Sequence, residues 1–379
     1  MTAKQMATII NGALLPNRLN ENATALSEDL SNWVDVGKTM AQITADGSAL
    51  QDFQKMLAVG VKSLAVFSDV YDPENFGIRK SVEEFGNALQ RVAIKNKPVI
   101  QDSHATNLVS GTNYIDGTYY GAEYDAKVYV DSKMYKASYS WSDDTWAKAI
   151  SDPQEMNQLL TLWLNSVEST INNVNKGIID MTLNKRIVDA YTNSKVVTLL
   201  TAYNSKFGTS ETMASIRADE AKMRRYAEFC GQVTKILEKG LQEYGHKYND
   251  GTIDQFTPQG RVTSIYLTEF ITDIENYGLA NIFHPDNVKL EKRFDKLSWQ
   301  TAGTAILPTY GTVDKIVDSS NYTDVVGIIM DIDSLGVCNK FNKITSEYVG
   351  SEGYTTFHHH FSVDNYVDSR GNAVILRQA

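Results

Sequence analysis

The chain has 379 residues, 42% of them hydrophobic and 22% charged, with a formal net charge of −10 at pH 7. That balance belongs to a folded protein of one large domain or two to three lobes. It disfavours strong direct recognition of nucleic acid, which needs a basic face. No run approaches the roughly 18 apolar residues of a membrane span.

Residues 1 to 45 are rich in Asn, Thr and Ala and hold no sustained period of 3.6 or 2, so they read as an arm. The start lacks the apolar core and cleavage pattern of a signal peptide, and synthesis in the cytoplasm is expected. Residues 48 to 72 read as a helix or turn running into strand, and Asp72 to Gly77 as a loop. The stretch "NYIDGTYYGAEYDAKVYVDSKMYKASYSW" carries turn signals at Asp116-Gly117 and Gly121. Its strand alternation puts Val128 and Val130 on one face and Tyr129 and Asp131 on the other. This predicts a long β-hairpin. Seven of the 20 tyrosines and two of the five tryptophans lie between Tyr114 and Trp146. A ribbon so aromatic and so poor in aliphatic residues is ill-equipped to bury itself, and Tyr and Trp are enriched at protein interfaces. The segment is therefore expected to pack on another subunit.

A long helix follows. Asp152 as N-cap, Pro153 at the first helical position and Glu155 at the third form an acidic capping box. Met156, Leu159, Leu160, Trp163, Val167, Ile171, Val174, Ile178, Met181 and Val188 then recur at mostly 3-, 4- or 7-residue steps. The spacing predicts one amphipathic helix of about 39 residues, about 58 Å long. After a short β-prone piece (Val196 to Tyr203), a second helix is expected from a cap at Ser210 to a C-terminal Gly245. The stretch "HKYNDGTIDQFTPQG" reads as a linker and a domain boundary. Beyond it, "VTSIYL" reads as strand and "TEFITDIENYG" as a short helix. "NVKLEKRF", "TAILPTY" and "TDVVGIIMDI" are strand-like, and together these suggest an α+β lobe. The closing "EYVGSEGYTTFHHHFSVDNYVDSRGNAVIL" alternates like long antiparallel strands.

Catalytic signatures are missing: no phosphate loop, no G-x-S-x-G, no H-E-x-x-H, no C-x-x-C. Cys230 and Cys338 are far apart and read as small buried hydrophobes. The basic clusters at Lys222, Arg224, Arg225 and at Lys289, Lys292, Arg293 are broken by acids and read as solvated faces. Asp331 and Asp333 share one side of a strand end, yet no further carboxylates stand near in sequence to complete a cation site. In "YTTFHHHFSV", His358 and His360 share one face, while His359 points the other way between Phe357 and Phe361. His-x-His can chelate zinc if a third ligand arrives, but no spacing recruits His104, His246 or His284. A buried strand is the simpler reading.

The order of elements resembles the major capsid proteins of tailed bacteriophages, the Hong Kong 97-type fold. It is most like those of short-tailed phages with small genomes. The residues that carry the resemblance are "VYVDSKMYKASYSWSDDTW" leading into "LLTLWLNSVESTINNVNKGIIDMTLNKRIVDAY", and the closing "DIDSLGVCNK…GYTTFHHHFSVDNYVDSRGNAVIL" with Arg370 in a polar turn. The resemblance implies an α+β capsid fold. It divides the chain into an N-terminal arm and entry to the P domain (1–70), an E-loop region (71–150) and a P domain with spine helix (151–250). An A domain (251–340) and a return to the P domain (341–379) complete it. The implied function is a shell subunit that assembles through pentamers and hexamers around a phage genome, with no catalytic residue, cofactor or metal. Tyr119, Tyr120, Tyr124, Tyr129, Tyr135 and Trp141 are the expected intersubunit contacts. The implied partners are other copies of the chain, a separate scaffolding protein, a portal protein and decoration proteins. Packaged DNA would be held without sequence recognition, and no membrane is involved. No charged helical scaffolding segment stands at the N-terminus. The Lys–Asn cross-link of some relatives has no identifiable partner for Lys127, Lys133 or Lys136. Two other readings stay open: a cellular cargo shell of the encapsulin type, and a metal-dependent enzyme using His358 and His360.

Overall fold

The computed structural model describes residues 76–80, 89–95, 123–129, 132–142, 153–278, 293–297 and 324–378, with a few single positions besides. The expected N-terminal arm, the Asp116-Gly117 turn, Asp152 and "TAILPTY" lie outside the described residues. In chain order come β1 (Arg79–Lys80), β2 (Leu89–Ile94), β3 (Tyr124–Tyr129), β4 (Ser132–Ser142) and α1 (Pro153–Thr192). Then follow β5 (Val196–Thr198), α2 (Leu199–Phe207), α3 (Met213–Arg217), α4 (Glu220–Gly240), β6 (Val262–Leu267) and α5 (Thr268–Gly278). The last are β7 (Arg293–Lys296), β8 (Val325–Asp331), β9 (Leu335–Val349), β10 (Tyr354–Val367) and β11 (Ala373–Arg377).

Helix α1 has 40 residues and starts at Pro153, as the sequence predicts. It ends in a Schellman motif. Lys195 N–H donates to Ala190 O and Ser194 N–H to Tyr191 O, both at 2.9 Å, with Ser194 in the left-handed region at φ 59°. From Val174 to Ile187 the helix is almost wholly buried, its polar residues included. Asp180 answers this burial by pairing with Lys296 of β7. Among the described residues no helix is long and apolar enough to cross a membrane.

Two sheets enclose that helix. The first has the order β1-β9-β10-β4 and the second β5-β11-β8-β6-β7. Ile178, Met181, Leu183 and Ile187 of α1 share one core with Val337, Phe361 and Val363 of the first sheet and Ile328, Met330 and Ile375 of the second. The far side of the second sheet (Val326, Ile329, Val374, Leu376) packs on Tyr203, Tyr226, Phe229, Leu237 and Phe270 of α2, α4 and α5. β8 is therefore buried on both faces, which is why "VVGIIM" is uninterruptedly apolar. Gly327 within it lies under the Tyr266 ring, where any Cβ would collide. The expected return segment 341–379 is shared out: β10 joins the first sheet and β11 the second.

Several sequence expectations need correction. The predicted hairpin holds only in part: β3 pairs with β2, which precedes the Asp116-Gly117 turn, whereas β4 pairs with β10, both antiparallel. Alternation shows that a segment is extended, but not which distant strand it meets. The β-prone 196–203 becomes strand only to Thr198, and α2 then runs to Gly208 at φ 64°. Ser210 caps nothing. Thr212 and Ser215 form a reciprocal capping box, and Asp219 caps α4 through Ala221 N–H. Two strong caps seven residues apart cut the predicted second helix in two, and it stops at Gly240 rather than Gly245. Gly245 instead bridges Gln255. The "linker" is tied down: Asn372 reaches Thr257 Oγ1 at 3.1 Å, and Ala373 N–H donates to Tyr248 O at 2.8 Å.

Candidate functional site

Strands β2 and β3 form a two-stranded ribbon that belongs to neither sheet. Its register pairs Gln90 with Val128, Val92 with Ala126 and Ile94 with Tyr124. These six share one face, and all are exposed: Val92 57%, Ile94 58%, Tyr124 69% and Val128 55%. The opposite face carries Arg91, Asp125, Lys127 and Tyr129, and it is the one turned toward the body. Normal amphipathic strands bury the apolar side. This ribbon is inverted, with charges inward and aliphatic side chains outward.

The inward charges meet the turn between β10 and β11. Arg370, only 1% exposed, binds Asp368 bidentately at 2.9 and 3.0 Å. It also donates to the carbonyl oxygen of Arg91 and to the carbonyl and carboxylate oxygens of Asp125, each at 3.1 Å. Arg91 donates to Asp333 O at 2.6 Å and pairs with Asp368 at 3.2 Å. Lys127 donates to Ser369 Oγ, which donates to Asp250, both at 3.0 Å. Burial works against ionising Asp368, but the hydrogen bonds from Arg370 and the charge of Arg91 outweigh it and hold the carboxyl below the usual carboxylate range. Burial, with Asp368 nearby, pushes the Tyr129 phenol up to about 12. Asp331 and Asp333, weighed above as a cation site, already bind Arg261 at 2.6 and 3.0 Å, and Asp333 also binds Lys80 at 2.7 Å.

Of the expected intersubunit residues, Tyr124 stands on the outer ribbon face. Tyr119 and Tyr120 lie outside the described residues. Tyr129, Tyr135 and Trp141 are half-buried against their own chain. Tyr129 meets Tyr366 and Tyr135 stacks on Phe361, each with ring centroids 5.5 Å apart. Trp141 meets Trp163 of α1 at 5.2 Å, and Phe357 closes that cluster at 5.4 Å from Trp163. Val92, Ile94 and the Arg370 anchor escaped the sequence reading. "LQRVAI" and "YDAKVY" alternate visibly, but alternation does not say which face turns outward.

The histidines fall as the strand reading predicts. His359 is buried with Phe357 and Phe361. On the other face, Ser138 Oγ lies 2.9 Å from His358 Nδ1 and Thr345 Oγ1 lies 3.1 Å from His360 Nε2. Among the described residues no three His, Cys, Asp or Glu side chains converge as metal ligands would.

No curated protein sequence matches the chain. Among solved structures it is similar to a chain in the capsid structure of Staphylococcus phage Andhra, with a TM-score of 0.54 at 11% identity, covering 83% of this chain and 86% of that one. It is also similar to a chain in a structure of the head fiber and inner core protein gp22 of native bacteriophage P68. There the TM-score is 0.53 at 11% identity, covering 83% and 87%. Both likenesses are of fold, the Hong Kong 97-type α+β capsid fold. The Phi29-like phage major capsid protein family matches residues 27–376. The chain belongs to that family: it is a phage major capsid protein, the subunit that self-assembles into the shell enclosing the phage genome.

Proposed function

We propose that this subunit builds an icosahedral or prolate shell through pentamers and hexamers by laying the outer face of its ribbon on a neighbouring copy. The inverted ribbon carries the proposal. Val92, Ile94, Tyr124 and Val128 are exposed together on a two-stranded element that water alone supports poorly. A heterologous contact of this kind, repeated around a ring, closes into fives and sixes. Tyr124 belongs to the docking face, as would Tyr119 and Tyr120 between the ribbon strands. Tyr129, Tyr135 and Trp141 brace that region from within the subunit. The first sheet with α1 fits the P domain; the second sheet packs on α2, α4 and α5 as one A-domain unit, which moves α2, α4 and β11 out of the P domain expected over 151–250 and 341–379.

The role is structural, without catalysis, metal or cofactor. A separate scaffolding protein guides assembly, a portal protein occupies one vertex, and decoration proteins bind outside. DNA is enclosed without sequence recognition, and synthesis takes place in the host cytoplasm. The family match favours this over a cellular cargo shell, and nuclease-protected genomic DNA in purified particles would support it directly. The deciding experiment expresses the whole chain with and without the scaffolding protein and inspects the product by size exclusion and negative-stain microscopy. Megadalton closed shells are expected. A soluble monomer under both conditions would sink the proposal.

A further inference from the structure

The ribbon's attachment to the body is charged rather than apolar, and this bears on direction. Hydrophobic contact is non-directional, whereas a guanidinium is a planar fork whose bonds hold only at set angles. Arg370 touches both ribbon strands at once, through Arg91 O on β2 and the carbonyl and carboxylate of Asp125 on β3. Lys127 on Ser369 and Arg91 on Asp333 O add two further points of attachment. Contacts spread over both strands fix the ribbon's rotation as well as its distance.

The turn that holds this fork is itself fixed. Asp368 N–H donates to Ser334 O at 2.7 Å, and Arg186 of α1 donates to Gly371 O at 2.5 Å. A Cβ at Gly371 would collide with Ser334. Arg370 is thus referenced to the long helix through Gly371 and to the β8–β9 connection through Asp368. We infer that Arg370 is a positioning residue for shell assembly, setting the angle at which the ribbon's outer face is offered to the next subunit. This rests on the capsid reading and adds to it how the docking face is aimed. The alternative is that the cluster merely satisfies buried charge in the core.

Two variants separate these. Arg370→Lys keeps the charge and loses the fork. Asp125→Ala removes only the ribbon's carboxylate and leaves the Arg370–Asp368 pair in place. Each full-length variant is compared with the wild type by hydrogen exchange on the unassembled subunit and by microscopy of assembled particles. Exchange at 89–94 and 124–129 is expected to quicken about tenfold or more while α1 and β8 stay protected. Closed shells are expected to give way to open or irregular sheets. An unchanged ribbon overturns the inference. So does loosening spread evenly through α1, β8 and the ribbon, which is the signature of a mere core element. A loosened ribbon that still yields normal shells in normal amount overturns it as well. The wild-type control isolates the parent reading: if the wild type forms no shells, the capsid proposal fails first, independently of either variant.

Discussion

The Arg370 guanidinium binds Asp125 twice, at its carbonyl and its carboxylate, across 245 positions of sequence. The arginine side chain is 2% exposed and the aspartate 37%. One end of the pair is therefore core and the other is a partly exposed strand of the ribbon. The body keeps its half of the contact when the ribbon's half is removed, which makes the attachment open to test by substitution.

Acid is expected to loosen this attachment. Asp368, Asp333 and Asp250 are all held below the ordinary carboxylate range: burial opposes their ionisation, and hydrogen bonds and nearby cations prevail. Their folded pKa values lie under the unfolded value of about 3.9, so the folded state binds fewer protons than the unfolded one. Their contribution is complete above that value and is lost as pH falls through the folded values. The carboxylates' share of the unfolding temperature should hold from pH 7 to about 5 and then drop steeply, and Asp333→Asn should flatten that drop. Thermal melts by circular dichroism across pH 7 to 3 read this out.

A milder response belongs to His358. Burial, Lys136 and His360 lower its pKa, against the opposing pull of Glu347, while Lys343 faces His360 across the sheet. The unfolded imidazole protonates first, near pH 6.5, so stability falls as pH drops below that point and through the lowered folded value. His358→Gln should lose less between pH 7.5 and 5.5 than the wild type does. Equal losses would show that the histidine face is indifferent to its charge.

Val92→Asp and Ile94→Asp change exposed positions and should move subunit stability by no more than about 0.5 kcal/mol. Shell yield should nonetheless collapse, because a carboxylate would be buried against the next copy. Tyr124→Ala should weaken assembly less. Melting temperature and particle counts, taken on the same preparations, check both halves.

Breaking the buried Asp180–Lys296 pair should be costly. Both side chains are 7% exposed. Lys296→Met leaves an unpaired carboxylate and should cost about 3–5 kcal/mol, whereas Asp180→Leu with Lys296→Met should recover much of it. Denaturant melts of the three variants would show whether the coupling is real.

How much was legible in the sequence depended on how local the determinants were. The long helix is set by Pro153 and a repeating apolar stripe, and it appears where the spacing places it. β10 alternates strictly from Tyr354 to Phe361, so the faces of His358, His359 and His360 follow. The second helix was misread because Thr212 and Asp219 outrank Ser210 as caps, and three candidate caps within ten residues cannot be ranked without geometry. The partners of β3 and β4 are hidden for a different reason: each is chosen by a strand outside the segment itself. The inverted ribbon lay furthest from view. Its pattern is that of an ordinary strand pair, and only the charges around Arg370 show which face the body claims.

Ser138 meets His358 across 220 positions, and the ribbon waits for Arg370 across 245. Closure over such distances is slow. The ribbon strands leave the ribosome early, but the Arg370 fork that touches both of them is made only near the end of the chain. A half-made subunit therefore carries the sticky face without the means to present it. If Arg370 aims the ribbon, the order of synthesis would act as a clock: subunits would become competent to join a shell only after their own bodies are complete.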